Sequence, residues 1–310
     1  MESGGGGDSP SPPFLSQERN MKILGTDHYF HIGYAHLEAG KPCQDYAWSE
    51  MGGEKTFAIV SDGCSTGVHT DIGARIMTLA TAAALRKYCC TAPRERFIED
   101  VKIYRQKIIS ESMALLALPD QVMLATTLFA VFTPEGGVVQ VDGDGVVAFK
   151  YQSGRVEMSR FEWDENTPFY PAYSEADVKR FVEAHGNDLE QERFRETRVT
   201  YTPKGSFSER AEYHYSLRQG MAGVTWFVPN IPYGDELEYV AIFTDGVTQV
   251  DGIDWNEAVV KFLSFKSVAG EFAKRRMQSG IKEARKTGKG PFDDIGYAVI
   301  RLDTEEPQGG

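Results

Sequence analysis

The sequence predicts an α+β layered domain, and three observations carry that expectation. Four apolar runs between Ala125 and Phe161 follow one another with short Gly-bearing turns, which favours antiparallel pairing. Helical patterns are grouped between the strand runs, unlike the strand-helix alternation of a doubly wound sheet. A phrase of apolar strand followed by Ser/Thr, Asp and Gly occurs twice. Its copies are Phe57-Ala58-Ile59-Val60-Ser61-Asp62-Gly63 and Val240-Ala241-Ile242-Phe243-Thr244-Asp245-Gly246.

Residues 1–20 are rich in Gly, Ser and Pro and read as a disordered tail. They show no basic stretch followed by an apolar one, so no signal peptide is expected. Met21 to Trp48 suits two short strands, punctuated by Gly33 and the Gly40-Lys41-Pro42 turn. Thr56 to Ser61 reads as a buried strand. Thr70 to Cys90 reads as a helix, capped by Thr70 or Asp71, with Ile72, Ile76, Leu79 and Ala83 at helical spacing. A second helix runs from Arg94 to Leu118 and ends at Pro119. Strands are then expected at Ala125–Thr133, Val138–Val141, Val146–Tyr151 and Arg155–Phe161. Residues 162–220 are charged and aromatic and show little periodicity, apart from a helical stretch at Glu175–Ala184. Strand pattern resumes at Val224–Val228 and Glu238–Thr244. Helices follow at Trp255–Phe265 and Val268–Lys286, and a last strand runs from Ile295 to Leu302.

The 310 residues suffice to bury a substantial core. Nothing after residue 20 resembles an interdomain linker, so residues 21–305 read as one domain. The net charge of -12 argues against a nucleic-acid binder, which would carry a basic face. No run approaches the ~18 apolar residues that a membrane span needs. The four cysteines form no CxxC pair, which removes a zinc ribbon or thioredoxin motif and points to a reducing, cytoplasmic setting. Cys89 and Cys90, adjacent on the expected helix, read as packing residues.

The chemistry lies in carboxylates at strand ends: Gln44-Asp45, Asp62-Gly63, Asp245-Gly246 and Asp293-Asp294. A looser echo of the phrase, Val138 to Gly145, adds Asp142 and Asp144. Carboxylates delivered to one sheet rim make the oxygen-rich pocket that a hard divalent cation needs. No His or Cys stands in zinc spacing, so Mg²⁺ or Mn²⁺ is expected. Two such ions, roughly 3.5–4 Å apart, share a carboxylate and a water, lower that water's pKa and stabilise in-line displacement at phosphorus. Other residues have plainer readings. Asp142 reads as a solvated turn residue, and Thr126 and Thr127 as strand packing. His28, His31 and His36 read as surface or half-buried, and Lys286 to Lys289 as a solvated loop.

The order of these motifs resembles the metal-dependent protein phosphatases of the 2C class, the PPM family, and most closely their bacterial branch. The matching run is Gly40-Lys41-Pro42-Cys43-Gln44-Asp45, Ser61-Asp62-Gly63, Ala125-Thr126-Thr127, Gly143-Asp144-Gly145, Thr244-Asp245-Gly246 and Asp293-Asp294-Ile295. Each motif alone is weak, because Asp-Gly turns are common; six in order are strong. The resemblance implies a four-layer α-β-β-α sandwich with two central antiparallel sheets. It implies that Asp62 bridges two metals, that the Gly63 carbonyl adds a ligand, and that Asp245 and Asp293 hold the second ion. Asp45 would bind directly or through water, and Asp144 would serve a third, weakly held ion. Asp293 is preferred to Asp294 because the family ligand is the first residue of that pair.

The implied activity is hydrolysis of phosphoserine and phosphothreonine in a protein phosphorylated by a serine/threonine kinase, by a monomer. Residues 162–220 fall where the family places a variable flap that helps choose substrates. The sequence departs from the pattern in three places. Cys64 stands where many eukaryotic members have a histidine thought to act as general acid, and His69 is a nearby alternative. Val146 replaces an Arg after the Gly143-Asp144-Gly145 turn. A phosphate-binding Arg near the N-terminus has only Arg19, Lys22 and His31 as candidates. These departures motivate a second reading, a weakly active or inactive regulatory binding module. A two-metal nuclease is disfavoured by the acidic charge.

Overall fold

The alternation of side chains along strands sets the layers of this molecule. The structure, a computed structural model, describes residues 21–88, 94–204, 206–229 and 236–304. The expected tail, Arg19, Cys89 and Cys90 lie outside the described residues. The first half carries β1 (Met21–His31), α1 (Tyr34–Glu38), β2 (Tyr46–Gly52), β3 (Lys55–Ser61), α2 (Thr70–Lys87), α3 (Arg94–Leu116), β4 (Thr127–Thr133) and β5 (Gly136–Asp142). Then come β6 (Gly145–Tyr151), β7 (Val156–Trp163), α4 (Glu175–Ala184), β8 (Glu192–Tyr201), β9 (Phe207–Ser216) and α5 (Leu217–Ala222). The chain continues with β10 (Val224–Pro229), β11 (Leu237–Phe243), α6 (Trp255–Phe262), α7 (Phe272–Ala284) and β12 (Ile295–Thr304).

The described strands form two antiparallel sheets. One is seven-stranded, in the order β1-β12-β11-β6-β7-β8-β9; the other is five-stranded, in the order β10-β5-β4-β3-β2. On β4, Leu128, Ala130 and Phe132 face the other sheet, while Phe129 and Val131 face a cluster with Leu85 and Phe97 of the helices. On β11, Val240 and Ile242 face between the sheets, while Ala241 and Phe243 pack toward α6 and α7. Both sheets are therefore covered on both faces, α2 and α3 on one outside and α6 and α7 on the other. That explains why these strands read as continuous apolar runs. No helix among the described residues is long and apolar enough to cross a membrane.

Two local expectations change. The cap of α2 is His69, in the left-handed region at φ 57°, with no side-chain cap bond. Thr70 instead donates to the Cys64 carbonyl (2.9 Å) and accepts from Gln44 Nε2 (2.6 Å), which ties the helix start to the first Asp-Gly turn. Between residues 162 and 220 the chain builds α4, with a Ser174/Asp177 capping box, and adds β8 and β9 to the seven-stranded sheet. The sequence hides β8 because its inward row includes Glu196. That carboxylate is fully buried and accepts from Ser159 Oγ (2.7 Å), Tyr215 Oη (2.5 Å) and Arg198 Nε (2.5 Å). A satisfied buried carboxylate breaks the apolar signal without breaking the strand.

The glycines of the repeated phrase serve close approach. Neither Gly63 nor Gly246 has positive φ. A Cβ at Gly246 would lie 1.8 Å from the Asp294 carbonyl oxygen, and one at Gly63 would lie 2.6 Å from that of Thr70. Backbone on both sides leaves nothing flexible to yield. Gly246→Ala is therefore expected to cost about 2–3 kcal/mol of stability through overpacking, read as a fall in the urea midpoint at unchanged m-value.

Candidate metal centre

Antiparallel pairing brings the acidic strand ends to one rim. Tyr46, which follows Asp45, pairs with Ser61, which precedes Asp62. Phe243, just before Thr244-Asp245, pairs with Tyr297 on β12 and Val146 on β6. Asp293 therefore leads into the sheet, and Asp144 turns between β5 and β6, at the end where β3 and β11 finish. All six predicted positions, Asp45, Asp62, Gly63, Asp144, Asp245 and Asp293, lie at this rim.

The carboxyls act on one another. Asp62 faces Asp45 and Asp245 and feels the charge of Asp144. Burial pushes Asp45, Asp62 and Asp144 well above the usual carboxylate range, and neighbouring carboxylates push the same way. Burial and the Asp293 charge push Asp245 up to about 6, against a downward pull from Arg160. Asp293 is raised mainly by burial. Asp45 and Asp144 are buried, whereas Asp62, Asp245 and Asp293 keep partial exposure.

The surrounding bonds orient this set. Asp45 Oδ2 accepts from Thr244 Oγ1 (2.5 Å) and the Gly296 amide (2.9 Å). Asp294 Oδ1 accepts from the Gly33 amide (2.7 Å), and its Oδ2 from the Gln44 amide (2.6 Å) and His36 Nδ1 (2.9 Å). His36, Asp293 and Asp294 have ligand atoms close enough to hold an ion. Asp294, however, already has three donors, so this group is a hydrogen-bonded knot that fixes the chain on either side of Asp45 and Asp293. His36 is buried, contrary to the sequence reading, because its ring closes that knot.

A divalent cation fits this donor set. Three buried oxygens at the rim, Gln44 Oε1, Thr126 Oγ1 and Asp144 Oδ1, have no hydrogen-bond partner within the protein. An unpartnered carboxylate oxygen among mutually repelling carboxylates is costly until a cation neutralises it. The oxygen-only chemistry matches Mg²⁺ or Mn²⁺ better than a thiolate-seeking metal.

Asp142 departs most from its sequence reading. It is no solvated turn residue: it is buried, and both oxygens are taken. Oδ2 accepts from Arg105 Nη1 (3.0 Å); Oδ1 accepts from Gln140 Nε2 (2.7 Å) and lies 2.9 Å from Lys102 Nζ. Burial pushes its pKa up, but the Lys102 and Arg105 charges outweigh this and leave it lowered.

Among the candidate basic and acid groups, His31 pairs with Ile295 near the rim, whereas Lys22 pairs with Asp303 at the far end of β1. His69 is exposed. Sequence reasoning missed Arg160, which lies opposite Val146 across the β6–β7 pair and acts on Asp245. Cross-strand register has no signature in a single sequence.

A sequence model of the protein phosphatase 2C family matches residues 32–284. No curated protein matches the chain. Among solved structures, the fold is similar to that of the serine/threonine phosphatase Stp1 from Staphylococcus aureus. The identity is 9% and the TM-score 0.53, over 92% of this chain and 97% of that one. It is also similar to the S. agalactiae serine/threonine phosphatase, at 14% identity and a TM-score of 0.50, over 90% of this chain and 99% of that one. The likeness at these identities is one of fold. With the family match over most of its length, the chain belongs to the protein phosphatase 2C family.

Proposed function

We propose that this protein is a Mg²⁺- or Mn²⁺-dependent phosphatase acting on phosphoserine and phosphothreonine in proteins. The observation that carries this reading is the convergence of Asp45, Asp62, Asp144, Asp245 and Asp293 on one rim, with carboxyls raised by burial and an Asp144 oxygen left unpartnered. Asp62 sits among the others and is suited to join two ions, with the Gly63 carbonyl beside it. Asp245 and Asp293 are suited to hold the second ion, and Asp144 a third, weaker one. When bound, the ions lower the pKa of water toward neutrality and offset negative charge at phosphorus.

The protein's own groups do the positioning. Thr244 and the Gly296 amide orient Asp45, while Asp294, clamped by Gly33, His36 and Gln44, holds the Asp293 backbone in place. Left alone, this cluster repels a phosphate dianion, so binding and turnover must both depend on added cation.

The test is turnover of a phosphothreonine peptide with and without Mn²⁺. Mn²⁺-dependent release of phosphate that stops on adding a chelator is expected. Stabilisation by Mn²⁺ with no turnover would sink the phosphatase reading and leave a binding module.

A further inference from the structure

The ionic group that anchors the Asp142 turn is not neutral. The single Asp142 carboxylate faces two cations, with Lys102 Nζ 2.9 Å from Oδ1 and Arg105 Nη1 3.0 Å from Oδ2. Arg105 is 3% exposed. A guanidinium carries five N–H donors in a fixed fork. One of these, on Nη1, is bonded to Asp142, and no other acceptor among the described residues bonds to Arg105. A buried cation with donors to spare is costly unless an acceptor reaches it from outside the fold.

The acceptor has a way in. Lys102, Arg105, Asp142 and Gly143 line a cleft of about 340 Å³ between α3, α5 and the chain from 167 to 173. Its apolar walls come from Phe169 and Tyr173, from Met221 of α5 and from Ile103 of α3. The walls are fixed. Phe169 packs edge-on to Tyr173 (5.4 Å between ring centroids) and to Phe181 of α4 (5.3 Å), and Lys102 ties α3 to α5 through the Ala222 carbonyl (2.7 Å). Apolar walls around a few convergent polar groups are the usual make-up of a ligand site. Among the described residues that line the cleft, Asp142 is the only acid, so two cations against one carboxylate leave it positive. That excess stands out on a chain of net charge -12.

The size of the excess and the place of the cleft select the ligand. A carboxylate on a short aliphatic stem balances the charge and fits the apolar walls; a phosphate dianion overshoots it. Gly143 lies between the cleft and Asp144 at the rim, and its carbonyl accepts from Trp163 Nε1 (3.3 Å), which fixes the turn. Two residues of extended chain span about 7 Å. A peptide whose phosphate sits at the rim therefore carries a neighbouring side chain to the cleft.

We propose that this cleft is a specificity subsite for the carboxylate of a glutamate or aspartate lying two or three residues from the phosphorylated serine or threonine of the substrate. Arg105 and Lys102 donate to that carboxylate, and Phe169, Tyr173 and Met221 cover its methylenes. The assignment rests on the phosphatase reading above.

The experiment uses phosphothreonine peptides that differ only by Glu or Gln at each flanking position in turn, in saturating Mn²⁺. Wild type is expected to favour Glu over Gln by about 10-fold in kcat/KM at one position two or three residues from the phosphothreonine, as for a charge-assisted bond in a partly open site. Gln106 is exposed and lines the same cleft. Gln106→Glu supplies a carboxylate from the protein and should bring that ratio to about 1. Lys102→Met removes the excess charge, leaves the Arg105–Asp142 pair in place, and should do the same. The two changes together should reverse the preference, so that a peptide with Lys at that position becomes the better substrate. The ratio is read within each variant, so a general loss of rate does not enter it. No preference at any position, a preference of equal size at every position, or a ratio unchanged in both single variants would overturn the subsite alone. A wild-type protein that hydrolyses none of the peptides would overturn the phosphatase reading, and this assignment with it.

Discussion

Replacing Asp62 with Asn is expected to abolish turnover while making the metal-free protein more heat-stable. Asp62 faces Asp45 and Asp245 and feels Asp144, so its charge acts on the whole cluster. The amide keeps the shape and removes the charge. Turnover should fall by on the order of a thousandfold or more, since even groups one layer out from a metal cost roughly 10–100-fold. The stability effect has the opposite sign. A carboxyl whose pKa is raised by folding costs stability once the pH exceeds its unfolded value. At neutral pH the metal-free wild type carries that cost, and Asp62→Asn relieves part of it. The metal-free melting midpoint should rise by roughly 2–4 °C, equivalent to about 1 kcal/mol in a domain of this size. Cation at 100 times its dissociation constant should add about 2.7 kcal/mol to wild type, and little to the variant. Melting curves with and without Mn²⁺ read both effects. A variant that keeps the wild-type rate or the full Mn²⁺ shift removes Asp62 from the centre.

Asp142→Ala is expected to be among the most destabilising single changes, at about 3–5 kcal/mol, or on the order of 10 °C in melting midpoint. Arg105 is 3% exposed and Asp142 5% exposed, and their 3.0 Å contact neutralises a guanidinium that has little access to water. Removing the carboxylate strands that charge. Lys102 is less affected, because it keeps surface exposure and a bond to the Ala222 carbonyl (2.7 Å). Adding Arg105→Met should restore more than half of the loss, because the stranded charge goes with it. Melting of both variants, judged against wild type, checks this. A midpoint within about 2 °C of wild type for Asp142→Ala would mean that Arg105 reaches solvent and the pair holds little. The same variant should weaken cation binding, since Asp144 follows two residues later on the turn that Asp142 anchors.

Much of the fold was legible because the sandwich is covered on both sides. The apolar runs at Thr56–Ser61, Ala125–Thr133 and Glu238–Thr244 face core in both directions, and continuous hydrophobicity marks them. Glu175–Ala184 showed its helix through spacing, and the structure adds the cap at Ser174. Asp62 and Asp245 were legible because strand-Asp-Gly is a local phrase. What failed was whatever depended on a partner remote in sequence. Asp142 and Asp144 differ by two residues in the same echo, yet one meets Arg105 and Lys102 of α3 and the other meets carboxylates. His36 looked like a surface residue until Asp294 closed on it from 258 positions away.

The sequence by itself determined that this chain makes a layered α+β domain whose strand ends carry acids, because periodicity and turn chemistry are local properties. Through the resemblance carried by six ordered motifs, it also implied which aspartates would share one rim. Only the tertiary structure decided what each acid experiences. Burial, opposing charge and hydrogen-bond donors arrive from other strands and helices, and they separate Asp142, which is paired, from Asp144, whose oxygen is left open. The glycine of the repeated phrase shows the same division. The sequence marks Gly63 and Gly246 as turns, but their reason is the carbonyl, of Thr70 and of Asp294 respectively, that packs where a Cβ would stand.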